Sequence, residues 1–84
     1  MSRHIATRTT PTHTLQLADN GGSFTIEAWN TRTDHRFMIG AWEYQGAADR
    51  VSTRAMLRGT LHSLARQLAD GLIDERELTG DSPW

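Results

Sequence analysis

Basic side chains recur at every fourth position in the middle of the chain. This basic series consists of Arg50, Arg54, Arg58, His62 and Arg66. A guanidinium group is a planar fork of donors that binds carboxylates and phosphates through paired hydrogen bonds. No Asp or Glu lies between Asp49 and Asp70 to neutralise the series. The spacing therefore indicates a helix face with one sign of charge. The use of Arg without any Lys reflects either selection for bidentate recognition or the codon bias of a GC-rich genome.

Three interpretations of the basic series stay open at this point. They are a solvated face neutralised by acids near the C-terminus, a docking surface for an acidic protein, and a nucleic-acid contact. The acids concerned are Asp70, Asp74, Glu75, Glu77 and Asp81. Steps of four residues turn about 40° around a helix, so only about three of the five side chains can face one flat partner. A duplex binder usually has a basic domain, whereas this chain has a net charge of −1. We expect an acidic protein partner ahead of nucleic acid.

The other reactive residue types show no spacing that supports catalysis. The histidines are His4, His13, His35 and His62. They lack the short spacings of metal ligands, and the chain has no cysteine. No G-x-S-x-G nucleophile motif occurs, and Gly21-Gly22 leads into a predicted strand rather than into the helix that a phosphate loop requires. We expect no enzymatic activity, no metal and no cofactor.

Leucines at helical spacing predict one long helix that carries the basic series. They are Leu57, Leu61, Leu64, Leu68 and Leu72. We expect this helix within residues 49–71, with Asp49 or Ser52 as the N-cap and Gly71 as the left-handed residue at the C-terminal end. The basic series is expected opposite the leucines, and Gly59 where the backbone comes close to a sheet. A short second helix is predicted at roughly residues 74–78.

Alternating apolar and polar residues predict three strands, at residues 13–17, 23–30 and 35–44. Asn20-Gly21 predicts a two-residue hairpin turn between the first two strands, and a second turn is expected at residues 31–34. The predicted cross-strand pairs are Leu15 with Ile26, Leu17 with Phe24, Ala28 with Phe37, and Ile26 with Ile39. This register places the paired apolar side chains on one face of the sheet, where the leucines can pack.

The reverse face of the predicted sheet carries large side chains, although a solvated face usually carries small or charged ones. They are Trp29, Met38, Trp42 and Tyr44. Arg36 is expected opposite Trp29, in a cation–π arrangement. Two interpretations stay open: a contact surface for a partner or a second copy, or a surface covered by the chain's own ends, with Trp84 closing it.

The predicted fold class is α+β. An antiparallel meander of three strands, or of four if the N-terminal arm joins it, is packed by one long helix and followed by a short C-terminal helix. Residues 1–12 form an N-terminal arm or edge strand, residues 13–80 a single domain, and residues 81–84 a C-terminal tail. No stretch is apolar enough to span a bilayer, so we expect a soluble, cytoplasmic protein without a membrane partner.

In length, in its meander plus helix and in its one-signed charged faces, the chain resembles the small inhibitors that phages and mobile elements encode, anti-CRISPR proteins among them. The resemblance implies a non-catalytic protein-binding module that blocks a host complex. The alternatives are an oligomeric assembly protein, dimeric through the Trp29 and Trp42 face, and a nucleic-acid-binding regulator. The expected partner-binding residues are Arg50, Arg54, Arg58, His62, Arg66, Trp29, Arg36, Trp42, Tyr44 and Trp84.

Overall fold

Four strands and two helices follow one another in this computed structural model, which describes residues 3–79. The elements are β1 (Arg3–Thr9), β2 (His13–Asp19), β3 (Ser23–Asn30), β4 (His35–Glu43), α1 (Gly46–Ala69) and α2 (Glu75–Thr79). The strands form one antiparallel sheet in the order β1-β2-β3-β4. The α+β class is confirmed, and the N-terminal arm is an edge strand that makes the sheet four-stranded.

The first hairpin differs from the predicted register by two residues. Leu17 lies opposite Ile26 rather than Phe24, and Phe24 lies opposite Asp19. The predicted two-residue turn is wrong because three residues, 20–22, connect β2 to β3. The Asp19 carboxylate accepts a hydrogen bond of 2.9 Å from the backbone amide of Gly21 in this loop. Side chains alternate with a period of two, so this shift leaves each apolar residue on its predicted face.

The second hairpin keeps its predicted register only near the turn. Phe37 lies opposite Ala28 as expected, but a bulge then places Gly40, and not Ile39, opposite Ile26. One extra residue moves the following side chains of β4 to the other face. Trp42 therefore lies opposite Phe24 on the core side of the sheet, and its predicted place on the reverse face is wrong.

Tyr44 follows Trp42 to the core side of the sheet, so its predicted place on the reverse face is also wrong. Its ring centroid lies 5.0 Å from that of Phe24. Gly40 makes room for this rearrangement, since a Cβ atom there would lie 2.8 Å from the ring of Trp42. The bulge thus adds two aromatic rings to the core margin.

The inner face of the sheet, defined as the face that α1 covers, forms the core. Its buried apolar residues are Leu15, Leu17, Phe24, Ile26, Ala28, Leu57, Leu61, Ala65, Leu68 and Leu78. The predicted leucine stripe is confirmed at three positions, Leu64 is half-buried, and Leu72 is 71% exposed. Leu72 leaves the stripe because α1 ends at Ala69.

The helix starts earlier than the sequence pattern predicted. Its N-cap is Gln45, and neither Asp49 nor Ser52 takes that position. Gly46 has a positive φ of 78°, which lets the chain turn from the strand directly into the helix. The Asp49 carboxylate accepts a hydrogen bond of 2.7 Å from the Gln45 amide. The Asp49 carboxylate thus stabilises the first turn from inside the helix.

The C-terminal end of α1 matches its prediction. Gly71 has a φ of 73°, and its amide donates to the Leu68 carbonyl while the Leu72 amide donates to the Gln67 carbonyl. These bonds form a Schellman motif. The predicted close approach of Gly59 to the sheet is wrong, because Gly59 is exposed with open space around its Cα.

An acidic side chain caps the N-terminus of the short helix α2. The Asp74 carboxylate accepts a hydrogen bond of 3.0 Å from the Glu77 amide. Leu78 brings this helix into the core. Within residues 3–79, neither helix combines the length and apolarity that crossing a bilayer requires.

Candidate functional site

Arg50, the first member of the basic series, lies at the margin of the core and not opposite the leucines. It precedes Leu57 by seven residues, which is close to two helical turns, so both side chains lie on nearly the same stripe. Its Nη2 is 2.7 Å from Oδ2 of Asp19, and its Nε donates to the same oxygen at 2.8 Å. The Asp19 side chain is only 7% exposed. The guanidinium of Arg50 therefore joins α1 to the β2–β3 hairpin.

Asp19 is the centre of a buried polar network that the sequence analysis missed. Tyr44 donates its hydroxyl to Oδ1 of Asp19 at 2.9 Å. The hydrogen bond from the backbone amide of Gly21 is the main cause that lowers the pKa of Asp19. Hydrogen bonds from Arg50 and Tyr44 lower this pKa further, whereas burial of the carboxyl group raises it. The hydrogen bond to Asp19 also raises the pKa of Tyr44, since a phenolate beside a carboxylate is disfavoured.

Two sequence signals could have revealed this network. Asp19 continues the alternation of Leu15 and Leu17, which places it on the inner face, where a carboxylate needs a partner. Arg50 continues the leucine stripe by the spacing of seven. Each signal is read from periodicity alone, and together they predict a pair between the hairpin and the helix.

The rest of the basic series is free of such contacts. Arg58, His62 and Arg66 are exposed and Arg54 is half-buried. None of the four side chains makes an ion pair or hydrogen bond with another described residue. Arg58 to Arg66 spans about 80° of the helix circumference, so these three groups face the same side.

An apolar side chain accompanies the free members of the series. Val51 is 56% exposed and lies on the same side of the helix as Arg58 and His62. Met56 is 54% exposed but lies on the opposite side of the helix from Arg58. Both lie on α1, which contains no acid after Asp49. The exposed side of α1 thus combines cations with apolar area, the combination typical of protein contact surfaces that use arginine anchors.

The acids after α1 do not neutralise the basic series within residues 3–79. Glu75 instead contacts the sheet, where its Oε1 lies 2.7 Å from Nδ1 of His35 and its Oε2 accepts a hydrogen bond of 3.1 Å from Asn30. The bond from His35 is the main cause that lowers the pKa of Glu75. Buried His13 points Nε2 at the same carboxylate from 3.7 Å, without a hydrogen bond. Asp81 lies outside the described residues.

The outer face of the sheet is the side turned away from α1. Trp29 and Arg36 form the predicted cation–π pair there, with the guanidinium carbon 4.8 Å from the ring centroid. The Trp29 indole also donates a hydrogen bond of 3.1 Å to Asp34. A shallow groove of about 370 Å³ runs beside the pair. The groove is lined by polar and apolar side chains, among them those of Thr14, Gln16, Glu27, Trp29, Arg36 and Met38.

The predicted partner-binding residues thus fall into three groups. Arg58, His62 and Arg66 share the exposed side of α1, with the half-buried Arg54 at its edge, and Trp29 and Arg36 lie together on the outer face. Arg50, Trp42 and Tyr44 belong to the core margin. Trp84, which was expected to close the outer face, lies outside the described residues.

Comparison with known proteins finds no family model, no curated protein and no solved structure that matches the chain. The geometry of the surfaces is therefore the basis for function. No group of three or more His, Cys, Asp or Glu is arranged to hold a metal ion in the described part of the chain. The exposed arginines on α1 are groups of the kind that can form paired hydrogen bonds with an anion.

Proposed function

We propose that the chain is a small non-catalytic protein-binding module that docks on an acidic surface of a larger partner. The docking surface is the exposed side of α1, with Arg58, His62 and Arg66 at its centre and Arg54 at its edge. The form of this function that we favour is the blocking of a host complex. The small phage-encoded inhibitors that the chain resembles in size and layout act in this way.

The observation that carries the proposal is that no residue among 3–79 provides a counter-ion on this side of α1. A Glu placed four residues from an Arg would add about 0.2 to 0.5 kcal/mol to the helix for each pair. The chain forgoes all such pairs between Asp49 and Asp70. A surface that served only solubility would mix both signs of charge. An acidic partner would supply the missing charges and speed association by electrostatic attraction.

Charge reversal tests the proposal. The variant Arg58→Glu with Arg66→Glu is compared with the control Arg32→Glu in the β3–β4 turn. The Arg32 side chain is exposed and forms no hydrogen bond or ion pair with another described residue. Quantitative capture from host lysate is followed by measuring the association rate with the protein that is captured. We expect the double reversal to slow association at least tenfold and the control to leave it unchanged, with both melting temperatures close to that of the parent.

Equal association rates for the double reversal and the control would contradict the proposal. Capture of DNA or RNA that persists at about 0.3 M salt would also contradict it, because a few arginine–phosphate contacts weaken steeply as salt rises. That result would favour nucleic acid over an acidic protein as the partner.

A further inference from the structure

We propose that the outer face of the sheet binds a second copy of this chain, through a two-fold symmetric contact between the two sheets. Both helices contribute their buried residues to the core on the inner face. The outer face keeps Gln16, Glu27, Arg36 and Met38 exposed. It lies on the opposite side of the sheet from α1, so this inference is independent of the proposed docking function.

Glu27 and Arg36 give the part of the outer face around the groove its self-complementary charge, while the exposed Glu43 lies at the other end of β4. Glu27 lies opposite Met38, and Arg36 lies opposite Trp29. The two charged residues are therefore diagonal neighbours, about 7 to 8 Å apart. They form no ion pair with each other, and neither has an oppositely charged partner among residues 3–79. Each charge is available to another molecule.

A two-fold axis through the groove satisfies both charges at once. In such a contact the same patch is used by both copies, so each residue pair occurs twice. Glu27 of one copy would meet Arg36 of the other, and the reverse pair would form on the far side of the axis. A partner of uniform charge could satisfy only one of the two groups and would repel the other.

The centre of the patch is apolar and held in place before contact. The Trp29 ring is held by the hydrogen bond from its indole nitrogen to Asp34 and by the guanidinium of Arg36, which lies over the face of the ring. Met38 is 53% exposed beside it. Trp and Arg supply much of the binding energy in protein contacts. Because both are already ordered, little conformational entropy is lost when a second copy binds.

The neighbouring residues permit two sheets to approach each other. The outer side of β2 carries only Thr14, Gln16 and Ala18, which are uncharged. Four strands about 4.8 Å apart and about 25 Å long offer roughly 500 Å² of face. This is smaller than the roughly 800 Å² that each partner buries in a standard interface. The expected dimer is therefore reversible, with a dissociation constant in the micromolar range.

Sedimentation velocity of the whole chain tests the proposal without any other partner. We expect the parent to change from monomer to dimer as its concentration rises to about 100 µM. Glu27→Arg and Arg36→Glu should each remain monomeric over that range, because each variant places like charges against each other at both pairs. The Arg32→Glu variant is the matched control and should dimerise as the parent does.

Mixing the two single variants gives the decisive measurement. Glu27→Arg in one chain then faces Arg36→Glu in the other, and the unchanged Glu27 and Arg36 form the second pair. We expect a heterodimer in the mixture although each variant alone is monomeric. Should a charge reversal unfold the chain, Glu27→Gln and Arg36→Gln extend the test, with circular dichroism to verify folding. Each of these two variants should weaken dimerisation at least threefold.

A parent chain that stays monomeric at about 1 mM would overturn the proposal. So would folded single reversals that dimerise like the parent, or a mixture of folded variants that stays monomeric. In these cases the outer face either serves a different ligand or is covered by the chain itself. Recovery of the dimer on mixing supports the two-fold contact.

Discussion

The two ends of the basic series use the same kind of side chain for different purposes. Arg50 lies against the buried Asp19 and joins the helix to the sheet, whereas Arg58 and Arg66 are exposed and have no counter-ion in the described part of the chain. The cause is angular: a step of four residues turns about 40°, so the series rotates from the leucine stripe to the solvent. Regular spacing of one residue type therefore does not define one surface.

The largest effect is expected where the inner side of α1 fills the core. Leu61 is 1% exposed and Leu72 is 71% exposed. Leu61→Ala should lower the free energy of unfolding by about 2 to 5 kcal/mol, because it leaves a cavity between helix and sheet. Leu72→Ala is the matched control and should change it by less than about 0.5 kcal/mol. Urea unfolding measures both, and equal stability of the two variants would contradict the helix-on-sheet core.

A smaller effect is expected within the basic series, where Arg50 is paired with Asp19 and Arg58 is exposed. Arg50→Gln removes the charged partner of a buried carboxylate, so the melting temperature should fall by several degrees. Arg58→Gln should leave it nearly unchanged, since an exposed charge without partners contributes little. In the double variant Asp19→Asn with Arg50→Gln, the two losses should be less than additive because both variants break the same contact. Additive losses would mean that the Asp19–Arg50 contact contributes no coupling energy.

The comparison of predicted and observed strand positions indicates which features a sequence can predict. Alternation assigned Leu15, Leu17, Phe24 and Ile26 to the inner face correctly, even though the hairpin register was wrong by two residues. It could not predict the side of Trp42, since one bulged residue reverses the alternation and the bulge depends on packing. Gly40 was a local sign, because a glycine inside a strand often marks a bulge or a close contact.

The candidate surfaces were predictable in part for the same reason. The pairing of Trp29 with Arg36 depends on a short turn and few intervening residues, so the register was still correct there. The side of α1 on which Arg50 lies follows from its angular position relative to the leucines, which recur over several helical turns. The contact of Glu75 with His35 joins residues 40 positions apart, and no local pattern brings such residues together.

Acid should weaken the fold through the contacts of two carboxylates, those of Asp19 and Glu75. The pKa values of Asp19 and Glu75 lie below their ordinary values of 3.8 and 4.5. Carboxyl groups with lowered pKa values contribute stability that is fully present above the ordinary pKa and is lost as the pH falls through the folded pKa. The melting temperature should therefore fall on acidification below about pH 4.5.

Substitution shows which groups cause this fall. Asp19→Asn and Glu75→Gln should each make the melting temperature less dependent on pH between about pH 2 and 5, although both lower it at pH 7. Asp70→Asn is the control, since Asp70 is exposed and its side chain makes no contact with another described residue. A slope that none of the three variants changes would assign the acid sensitivity to other groups.

The smallest effect is expected on the exposed side of α1, and it has the opposite sign. Gly59 lies inside the helix, and beyond the helix's own backbone no atom comes within 4 Å of the place that a Cβ would take. Gly59→Ala should raise the free energy of unfolding by about 0.5 to 1 kcal/mol, because alanine loses less backbone entropy in a helix and meets no obstacle here. Urea unfolding beside the parent measures the gain. The substitution leaves Arg58 and Arg66 in place, so partner association that depends on charge should keep its parental rate. A stabilised variant that has lost association would show that the partner needs the bare backbone at Gly59, and that charge alone does not account for docking on this side of α1.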